Sequence, residues 1–473
     1  MPTERFPSDS ALRPGGVAAA VQRAAQWADA ATARPPFSFR LGGRPAAERL
    51  AGWLVSSTAY AAAEGLTLRQ CTWHDPQTGV ECTLDMQTFD GFPAVEWVLR
   101  FRNTGTADTP LIEDVRPLDI RWPAAGDTRL RRSRGSQCSP ADFEYLVTPL
   151  GAGETIHMAA GGGRSSNAWL PFFNLQAGDA GVIIAIGWSG QWAAAFARDG
   201  ETVRMQAGQE LTRLVLHPGE EIRTPRIALL CWDGDVQASQ NTLRRFILAH
   251  HTPRPNGELL RGPLTAAHWG GLHSAGQLAR IAAYRQQQLG YEYYWIDAGW
   301  YGPPDSYSPD EFAGDWWKHV GNWQINPVAH PDGLRPISDA AAAAGMRFLL
   351  WFEPERAVAG TPLTVAHPEW FLGDPAPGNN VLFDLGNPEA RRWLTDFLSD
   401  FMTAQGVHLY RQDFNFDPLP YWRAADAPDR QGMTEIRHIE GLYAFWDELL
   451  RRHPGLIIDN CASGGRRIDL ETI

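Results

Sequence analysis

The chain has 473 residues, of which 44% are hydrophobic and 20% are charged, and these proportions are ordinary for a globular protein of two or three domains. Its formal net charge is −12 and no run of lysine or arginine stands out, which argues against a nucleic-acid or an anionic-membrane partner. No segment resembles a signal peptide or is long enough to span a bilayer, so we expect a cytoplasmic protein.

The five cysteines are scattered and none forms a CxxC pair: Cys71, Cys82, Cys138, Cys231 and Cys461. This spacing predicts neither a disulfide framework nor a zinc site. Cys71 and Cys82 flank the turn-like HDPQTG and could face each other across a hairpin, although we favour two reduced, half-buried thiols. The twenty tryptophans are unusual, because indole faces suit stacking on sugar rings, but many of them must simply lie in the core.

Residues from about 36 to 232 are typical of an antiparallel β-sandwich. Short strand-like runs alternate with turn residues: PFSFRLGG, LRQCTWHD, ECTLDMQTFDG, AVEWVLRFRNTG, VIIAIGW and RLVLHPG. The segment DVQASQNTLRRFILAHH then predicts a helix, and the alanine-rich stretch 15–33 is compatible with another whose packing the sequence does not indicate. We therefore predict an N-terminal β-sandwich domain with a linking helix over residues 1–250.

Beyond a short linker, strand-like and helix-like segments alternate, which indicates a parallel sheet. The strand-like segments are PLTAAHW, YEYYWIDAGW, MRFLLWFEPE, VHLYRQDF and GLIIDNCASGG. Polar and aromatic groups follow each strand and no Gly-rich phosphate turn is present, so a (β/α)8 barrel is favoured over a doubly wound sheet. One helix between the strands has recognisable ends, with Asn387 at its N-cap, Pro388 next and Gly406 just past its last turn. Residues 251–473 are thus predicted to form the first five strands of a catalytic barrel.

The ends of the five strands carry carboxylates, hydrogen-bonding side chains and indoles, which a barrel would bring to one mouth. In chain order these residues are Trp269, Asp297, Trp300, Trp351, Glu353, Glu355, Arg411, Asp413, Asn415, Asp459 and Cys461. Carboxylates beside aromatic faces are typical of a sugar-cleaving site. A single aspartate at a strand end is more often a cap or an ion-pair partner, but groups at five consecutive strand ends favour a site. The absence of a lysine or histidine cluster there disfavours an isomerase or an aldolase.

The motifs WIDAGW, LLWFEPE, YRQDFN and NCASGGRR resemble, in order and approximate spacing, those of the α-galactosidases of glycoside hydrolase family 36. FPAVEWVLRFRNTG is similar to part of the N-terminal β-supersandwich of that family. The resemblance implies a retaining exo-α-glycosidase that acts through a covalent glycosyl-enzyme on an oligosaccharide or glycoside, without a metal or an organic cofactor. Whether the complete protein is a homo-oligomer stays open.

The resemblance also implies roles for individual residues. Asp413 matches the nucleophile, with an ion-pair partner of Arg411 as the alternative. Arg411 replaces the usual lysine, and it should contact sugar hydroxyls and favour the charged form of Asp413, unless it only braces the site. Asn415 matches a sugar contact, with a turn residue as the alternative, and Asp297 matches the first of two aspartates that hold hydroxyls.

Further matches concern the walls of the site. Trp269 and Trp351 match aromatic walls, although either could be core. Cys461 and Gly464 match the loop beside the sugar's 2-position, where small residues let the backbone approach the ligand, and a small buried hydrophobe is the alternative for Cys461.

Two positions depart from the family pattern. The second aspartate is Ala298 here, and a sugar-binding arginine before VLFD is Gly378. Both departures concern substrate recognition, so an α-N-acetylgalactosaminidase or a β-L-arabinopyranosidase is a live alternative to an α-galactosidase.

The resemblance implies an acid/base aspartate after a sixth strand, and only five strands precede Ile473. We therefore expect a fragment of a longer enzyme, in which Asp469 is a weak candidate for the acid/base. A catalytically inactive carbohydrate-binding relative is the alternative.

Overall fold

The computed structural model describes residues 14–63, 65–310 and 315–473. The first 13 residues, where the sequence analysis expects no signal peptide, lie outside the described residues. Throughout the described ranges, no helix is both long and apolar enough to cross a membrane.

The chain divides into two compact units. The first contains the described residues up to Thr252 together with Asp426–Ile436 and Gly465–Ile473, and the second contains Pro253–Ala425 and Arg437–Gly464. Residues 426–436 and 465–473 were predicted to belong to the second domain, and the structure corrects that assignment. Sequence patterns report local structure, and they carry no signal for a short segment that returns to an earlier unit.

The first unit consists mainly of antiparallel sheet, as predicted. Its largest sheet has, among the described residues, nine strands in the order Tyr145–Pro149, Thr128–Arg134, Trp169–Ala177, Ala180–Gly187, Arg226–Asp233, Ala94–Asn103, Val80–Phe89, Leu66–His74 and Leu54–Ala63, with a tenth, Glu221–Arg223, beside Ala94–Asn103. A second sheet contains Thr155–Ala159, Trp192–Asp199, Thr202–Gln209 and Leu118–Pro123. A third contains Arg44–Pro45, Ser38–Leu41, Ile112–Arg116, Arg213–Leu214 and Arg430–Gln431.

The helices of the first unit are Pro14–Ala30, Ala47–Leu50 and Val236–His250 in the part of the chain that is described. The alanine-rich stretch is therefore helical, and Ala20, Ala24 and Ala28 form its buried face at a spacing of one helical turn.

The two cysteines of the predicted hairpin do not face each other. Cys71 pairs with Leu84 and Cys82 pairs with Trp73, and both thiols are free. The expectation of half-buried thiols is wrong, because both side chains are completely buried.

The second unit contains a parallel sheet whose five strands lie in chain order: Thr265–His268, Tyr293–Ile296, Arg347–Phe352, Leu409–Gln412 and Ile457–Asn460. Its helices are Ser274–Gln286, Arg335–Ala343, Pro362–Ala366, Pro388–Gln405, Leu419–Ala425 and Met433–Arg452, whose residues up to Ile436 belong to the first unit. The order of these five described strands does not reverse, whereas the strand order of a doubly wound sheet does. The multidomain β plus α/β class is confirmed, while closure into a barrel stays a prediction.

A small antiparallel sheet lies in the connection after the third parallel strand. It pairs Arg356–Val358 with Asn380–Phe383, and Asn380–Phe383 with Phe371–Leu372. The sequence analysis did not predict it.

Candidate functional site

A cavity of about 740 Å³ lies in the second unit, at the carboxyl ends of the parallel strands. Its lining residues are Trp269, Asp297, Ala298, Trp316, Trp317, Trp351, Arg356, Asp413 and Asn415. Five of the predicted site residues are among them: Trp269, Asp297, Trp351, Asp413 and Asn415. They come from four different strand ends, and parallel strands bring such ends to one edge of the sheet.

Asp413 follows the strand Leu409–Gln412 and is only 9% exposed. Its Oδ1 accepts hydrogen bonds from the backbone N–H groups of Phe414 at 2.8 Å and Ser463 at 3.0 Å. Its Oδ2 accepts from Asn415 Nδ2 at 2.8 Å and from Trp351 Nε1 at 3.2 Å. Burial alone would raise the pKa of this carboxyl, but donors that include Asn415, Cys461 and Ser463 outweigh it and hold the pKa below its ordinary value.

Arg411 is not among the residues that line the cavity, and its expected sugar contact stays a prediction. Its Nη1 donates to the Asp459 carboxylate, which lies directly across the adjacent strand, and its guanidinium stacks over the Trp295 ring at 4.5 Å. Hydrogen bonds to Asp413 are the main causes of its lowered pKa, while the charge of Asp413 also attracts the Arg411 guanidinium, so the expected support from Arg411 is secondary.

Cys461 and Gly464 also lie outside the cavity lining, although Cys461 contacts the nucleophile candidate. The Gly464 N–H donates to Cys461 Sγ at 3.2 Å, and Gly464 has a φ of +89°, which favours glycine. Burial raises the pKa of the Cys461 thiol to about 12, so the thiol stays protonated and can donate to Asp413.

Two other strand-end residues point into the core. Trp300 is completely buried, and its Nε1 donates to the Trp351 carbonyl at 3.0 Å. Glu355 accepts from Gln412 Nε2 at 2.7 Å and lies 3.1 Å from His438 Nε2, in a buried polar network.

The sequence analysis missed three residues that line the cavity. Trp316 and Trp317 belong to a short 3₁₀ helix, Trp316–Lys318, in a loop that no periodic pattern marks. Arg356 makes a two-pronged ion pair with Glu353, with Nε at 2.8 Å from Oε1 and Nη2 at 2.6 Å from Oε2. The three-residue spacing of these opposite charges was a signal that could have predicted the pair.

Glu353 links this ion pair to the aspartate. Its Oε1 also accepts from the Asn415 backbone N–H at 2.6 Å, and the Asn415 side chain bonds to Asp413. Burial raises the pKa of Glu353 above its ordinary value, although Arg356 offsets part of this effect.

Comparison with known proteins agrees with this arrangement. The family described as Melibiase matches residues 262–473. The chain is similar to the α-galactosidases of glycoside hydrolase family 36. It is 26% identical over 425 residues to α-galactosidase AgaA of Geobacillus stearothermophilus, which covers 84% of this chain and 54% of the relative. It is 24% identical over 429 residues to α-galactosidase C of Emericella nidulans, with 84% and 53% covered. The chain thus spans about half the length of these curated relatives.

Solved family 36 structures share the fold. A variant of the Geobacillus stearothermophilus α-galactosidase AgaA in complex with stachyose superposes with a TM-score of 0.77 at 20% identity, over 92% of this chain and 63% of the other. The α-galactosidase of Lactobacillus brevis gives a TM-score of 0.76 at 19% identity, over 93% and 61%.

The two departures from the family 36 pattern have different surroundings. Ala298 lines the cavity, and its N–H donates to Asp297 Oδ1 at 2.8 Å. Gly378 is exposed and is not among the lining residues, and its N–H donates to the Ala359 carbonyl at 2.9 Å.

Asp469, the weak acid/base candidate, belongs to the first unit and is completely buried. Its Oδ2 accepts from Ser165 Oγ at 2.7 Å and Ser189 Oγ at 3.1 Å, and its Oδ1 accepts from the Glu471 N–H at 2.9 Å. A carboxyl with no exposed surface and three donors is suited to holding these segments together, and poorly suited to protonating a leaving group.

The described residues contain no group of three or more histidine, cysteine, aspartate or glutamate side chains that could hold a metal ion.

Proposed function

We propose that this protein is a retaining exo-α-glycosidase that hydrolyses terminal α-galactosides through a covalent glycosyl-enzyme. The observation that carries the proposal is the Asp413 carboxylate, which is held below its ordinary pKa by hydrogen bonds at a cavity with tryptophan walls. An ionised carboxylate is the nucleophile that a retaining glycosidase needs, because it must attack the anomeric carbon as the leaving group departs. The kinship with proteins named α-galactosidases supports the choice of sugar.

In this proposal the pocket residues hold one sugar ring against Asp413. Trp269 and Trp351 offer apolar faces, and the Trp351 indole also fixes Asp413 through its N–H. Asp297 and Asn415 lie on the same cavity and can bind hydroxyls.

The residues behind the cavity have a positioning role in the proposal. Cys461 and Ser463 supply donors to Asp413, and Gly464 shapes the loop that carries them. Arg411 is held by Asp459 and Trp295, so we give it the bracing role.

The test is replacement and trapping of Asp413. Asp413→Asn keeps the shape and removes the attacking charge, so kcat on a nitrophenyl α-galactoside should fall by about 10⁴-fold or more while galactose still binds. A 2-fluoro-galactosyl fluoride should label Asp413, which peptide mass mapping would detect. Asp417→Asn, an exposed neighbour, is the matched control and should keep its activity. Label on Glu353 or Asp469 instead would contradict the assignment.

A further inference from the structure

Arg356 is a cation that the proposed mechanism does not use. It is 6% exposed, yet it lines the cavity together with Asp297 and Asp413. Its Nε and Nη2 donate hydrogen bonds to the Glu353 carboxylate, and its Nη1 donates to Asn380 Oδ1 at 3.1 Å. A guanidinium has five N–H donors, so two remain beyond these three bonds to described residues. The fork is held rigidly, and it retains donors for a ligand.

Tyr301 gives a second indication of unused hydrogen-bonding capacity beside this group. Its ring stacks on Trp351 with centroids 6.0 Å apart and an interplanar angle of 9°. Its hydroxyl is buried and has no hydrogen-bond partner among the described residues. Burial raises the pKa of this hydroxyl well above its ordinary value, and Glu353 and Arg356 are both near enough to shift it further, in opposite directions. A buried hydroxyl is normally hydrogen-bonded, so this one is an unsatisfied polar group close to Glu353 and Arg356.

The charges around Arg356 indicate what kind of group it would bind. Glu353 neutralises the guanidinium, while Asp297 and Asp413 add two carboxylates to the same cavity. Asp297 and Asp413 would repel a carboxylate on the sugar, whereas a hydroxyl oxygen can accept a hydrogen bond from the Arg356 guanidinium without such repulsion.

We propose that Arg356 is a specificity-determining residue that donates hydrogen bonds to one hydroxyl of an uncharged glycoside. This inference rests on the proposed function and names the substrate class of the same site. Glu353 then has two tasks, since it orients both the Arg356 fork and the backbone of Asn415 beside the nucleophile. The pocket would reject a sugar acid and a sugar that lacks the hydroxyl.

The experiment measures sugar binding without turnover. The four tryptophans of the cavity allow fluorescence titration with galactose and with its 2-, 3-, 4- and 6-deoxy analogues. Arg356→Lys keeps a charge for Glu353 but loses the fork. The pair Glu353→Gln with Arg356→Gln avoids an unpaired buried charge, so that folding is preserved. Arg347→Gln, on the exposed end of the strand Arg347–Phe352, is the matched control.

Both test variants should weaken galactose binding by about 10-fold or more, since a hydrogen bond from a charged donor has that strength. The deoxy analogue that lacks the hydroxyl bound by Arg356 should bind to wild type and to the variants with the same affinity, because the hydrogen bond is already absent. Galacturonate should bind wild type more weakly than galactose. Equal losses for all five sugars, no loss at all, or preferred binding of galacturonate would overturn the inference.

The outcome is separable from that of the proposed function. If galactose binds and responds to Arg356 as expected but no α-galactoside is hydrolysed, the inference stands and the proposed function fails. If wild type hydrolyses α-galactosides and the variants bind galactose normally, the inference alone fails.

Discussion

Two buried carboxyls close to the cavity have pKa values shifted in opposite directions. Burial raises the pKa of Glu353, whereas at Asp413 hydrogen bonds overcome the effect of burial and lower it. Asn415 connects the two residues: its backbone N–H donates to Glu353, and its side-chain amide donates to Asp413. Environments that separate the pKa values of neighbouring acids are typical of sites in which the two have different tasks. Asp413 is suited to attack and Glu353 to orienting its neighbours.

Ala298 provides a test of sugar specificity at the scale of one residue. If an aspartate at this position holds hydroxyls in the family, Ala298→Asp should restore a contact at the far side of the sugar. The ratio of kcat/KM for a nitrophenyl α-galactoside to that for the β-L-arabinopyranoside, which lacks the hydroxymethyl group, should then rise. A hydrogen bond to a buried hydroxyl contributes about 1–3 kcal/mol, so the expected rise is about 10-fold.

Ala298→Val is the control, because it fills similar space without a polar group and should leave that ratio unchanged. A ratio that stays constant in Ala298→Asp would mean that other groups already hold the hydroxymethyl side.

The sequence predicted which strand ends carry the candidate site, but it could not predict all the partners. Asp413 and Asn415 share a motif, whereas Asp459 is 48 residues from Arg411 and meets it only because their strands pair. The spacing of Arg356 from Glu353 was a local signal for their ion pair, but its place in the cavity depends on a three-residue strand in a connecting loop that the sequence did not indicate. Partners that tertiary pairing creates leave no local pattern.

At the scale of elements, the helix Pro388–Gln405 shows what local chemistry can fix. Asn387 accepts from the N–H groups of Glu389 at 3.0 Å and Ala390 at 3.3 Å, and Gly406 has a φ of +70°. A Cβ at Gly406 would lie 2.7 Å from Ser338 Oγ. Both ends were predicted from residue type alone, because capping depends on atoms within a few positions.

Substitutions at these two helix ends should lower the stability of the protein measurably. Asn387→Ala should lower the free energy of unfolding by about 1 kcal/mol, because two backbone donors lose their acceptor. Gly406→Ala should cost at least about 1 kcal/mol, since it adds both backbone strain and a close contact. Urea denaturation measures both changes. Arg392→Ala, on the exposed face of the same helix, should stay within about 0.5 kcal/mol of wild type, and an equal loss there would contradict the capping account.

Short strands escaped prediction for a related reason. RLVLHPG was expected to be a full strand, but only Arg213–Leu214 pairs. The small sheet formed by Arg356–Val358, Phe371–Leu372 and Asn380–Phe383 was not expected at all. Strands of two or three residues are too short for alternation to be visible, and their partners decide whether they form.

At the scale of the whole molecule, two neighbouring acids predict opposite dependences of stability on pH. Burial raises the pKa of Asp469 to about 6, whereas for Glu471 the guanidiniums of Arg223 and Arg226 outweigh burial and lower the pKa. Between about pH 4 and pH 6 the native state holds a proton on Asp469 that the unfolded state has released. The contribution of Asp469 to stability therefore falls as pH rises through that window, by on the order of 3 kcal/mol, and is constant above it. The contribution of Glu471 is present above its unfolded pKa and is lost as pH falls.

Urea denaturation of variants at several pH values checks these signs. The stability of Asp469→Asn relative to wild type should improve from pH 4 to pH 7. Glu471→Gln serves as the internal comparison, and its stability relative to wild type should improve as pH falls below about 4.5, because wild type then loses the contribution of Glu471. Parallel curves for wild type and both variants would contradict the buried environments of these carboxyls.

The segments 426–436 and 465–473 have a consequence for how the protein is made. Ser165 and Ser189 donate hydrogen bonds to Asp469, 304 and 280 positions later, and Trp188 donates to Glu435, 247 positions later. A ribosome releases a chain from its N-terminus, so the first unit cannot complete its buried polar contacts while it is the only part outside the exit tunnel. These three hydrogen bonds can form only after more than two hundred further residues have been synthesised. The amino-terminal unit therefore emerges well before its last buried polar contacts can form, and the completion of its fold depends on the synthesis of these later segments.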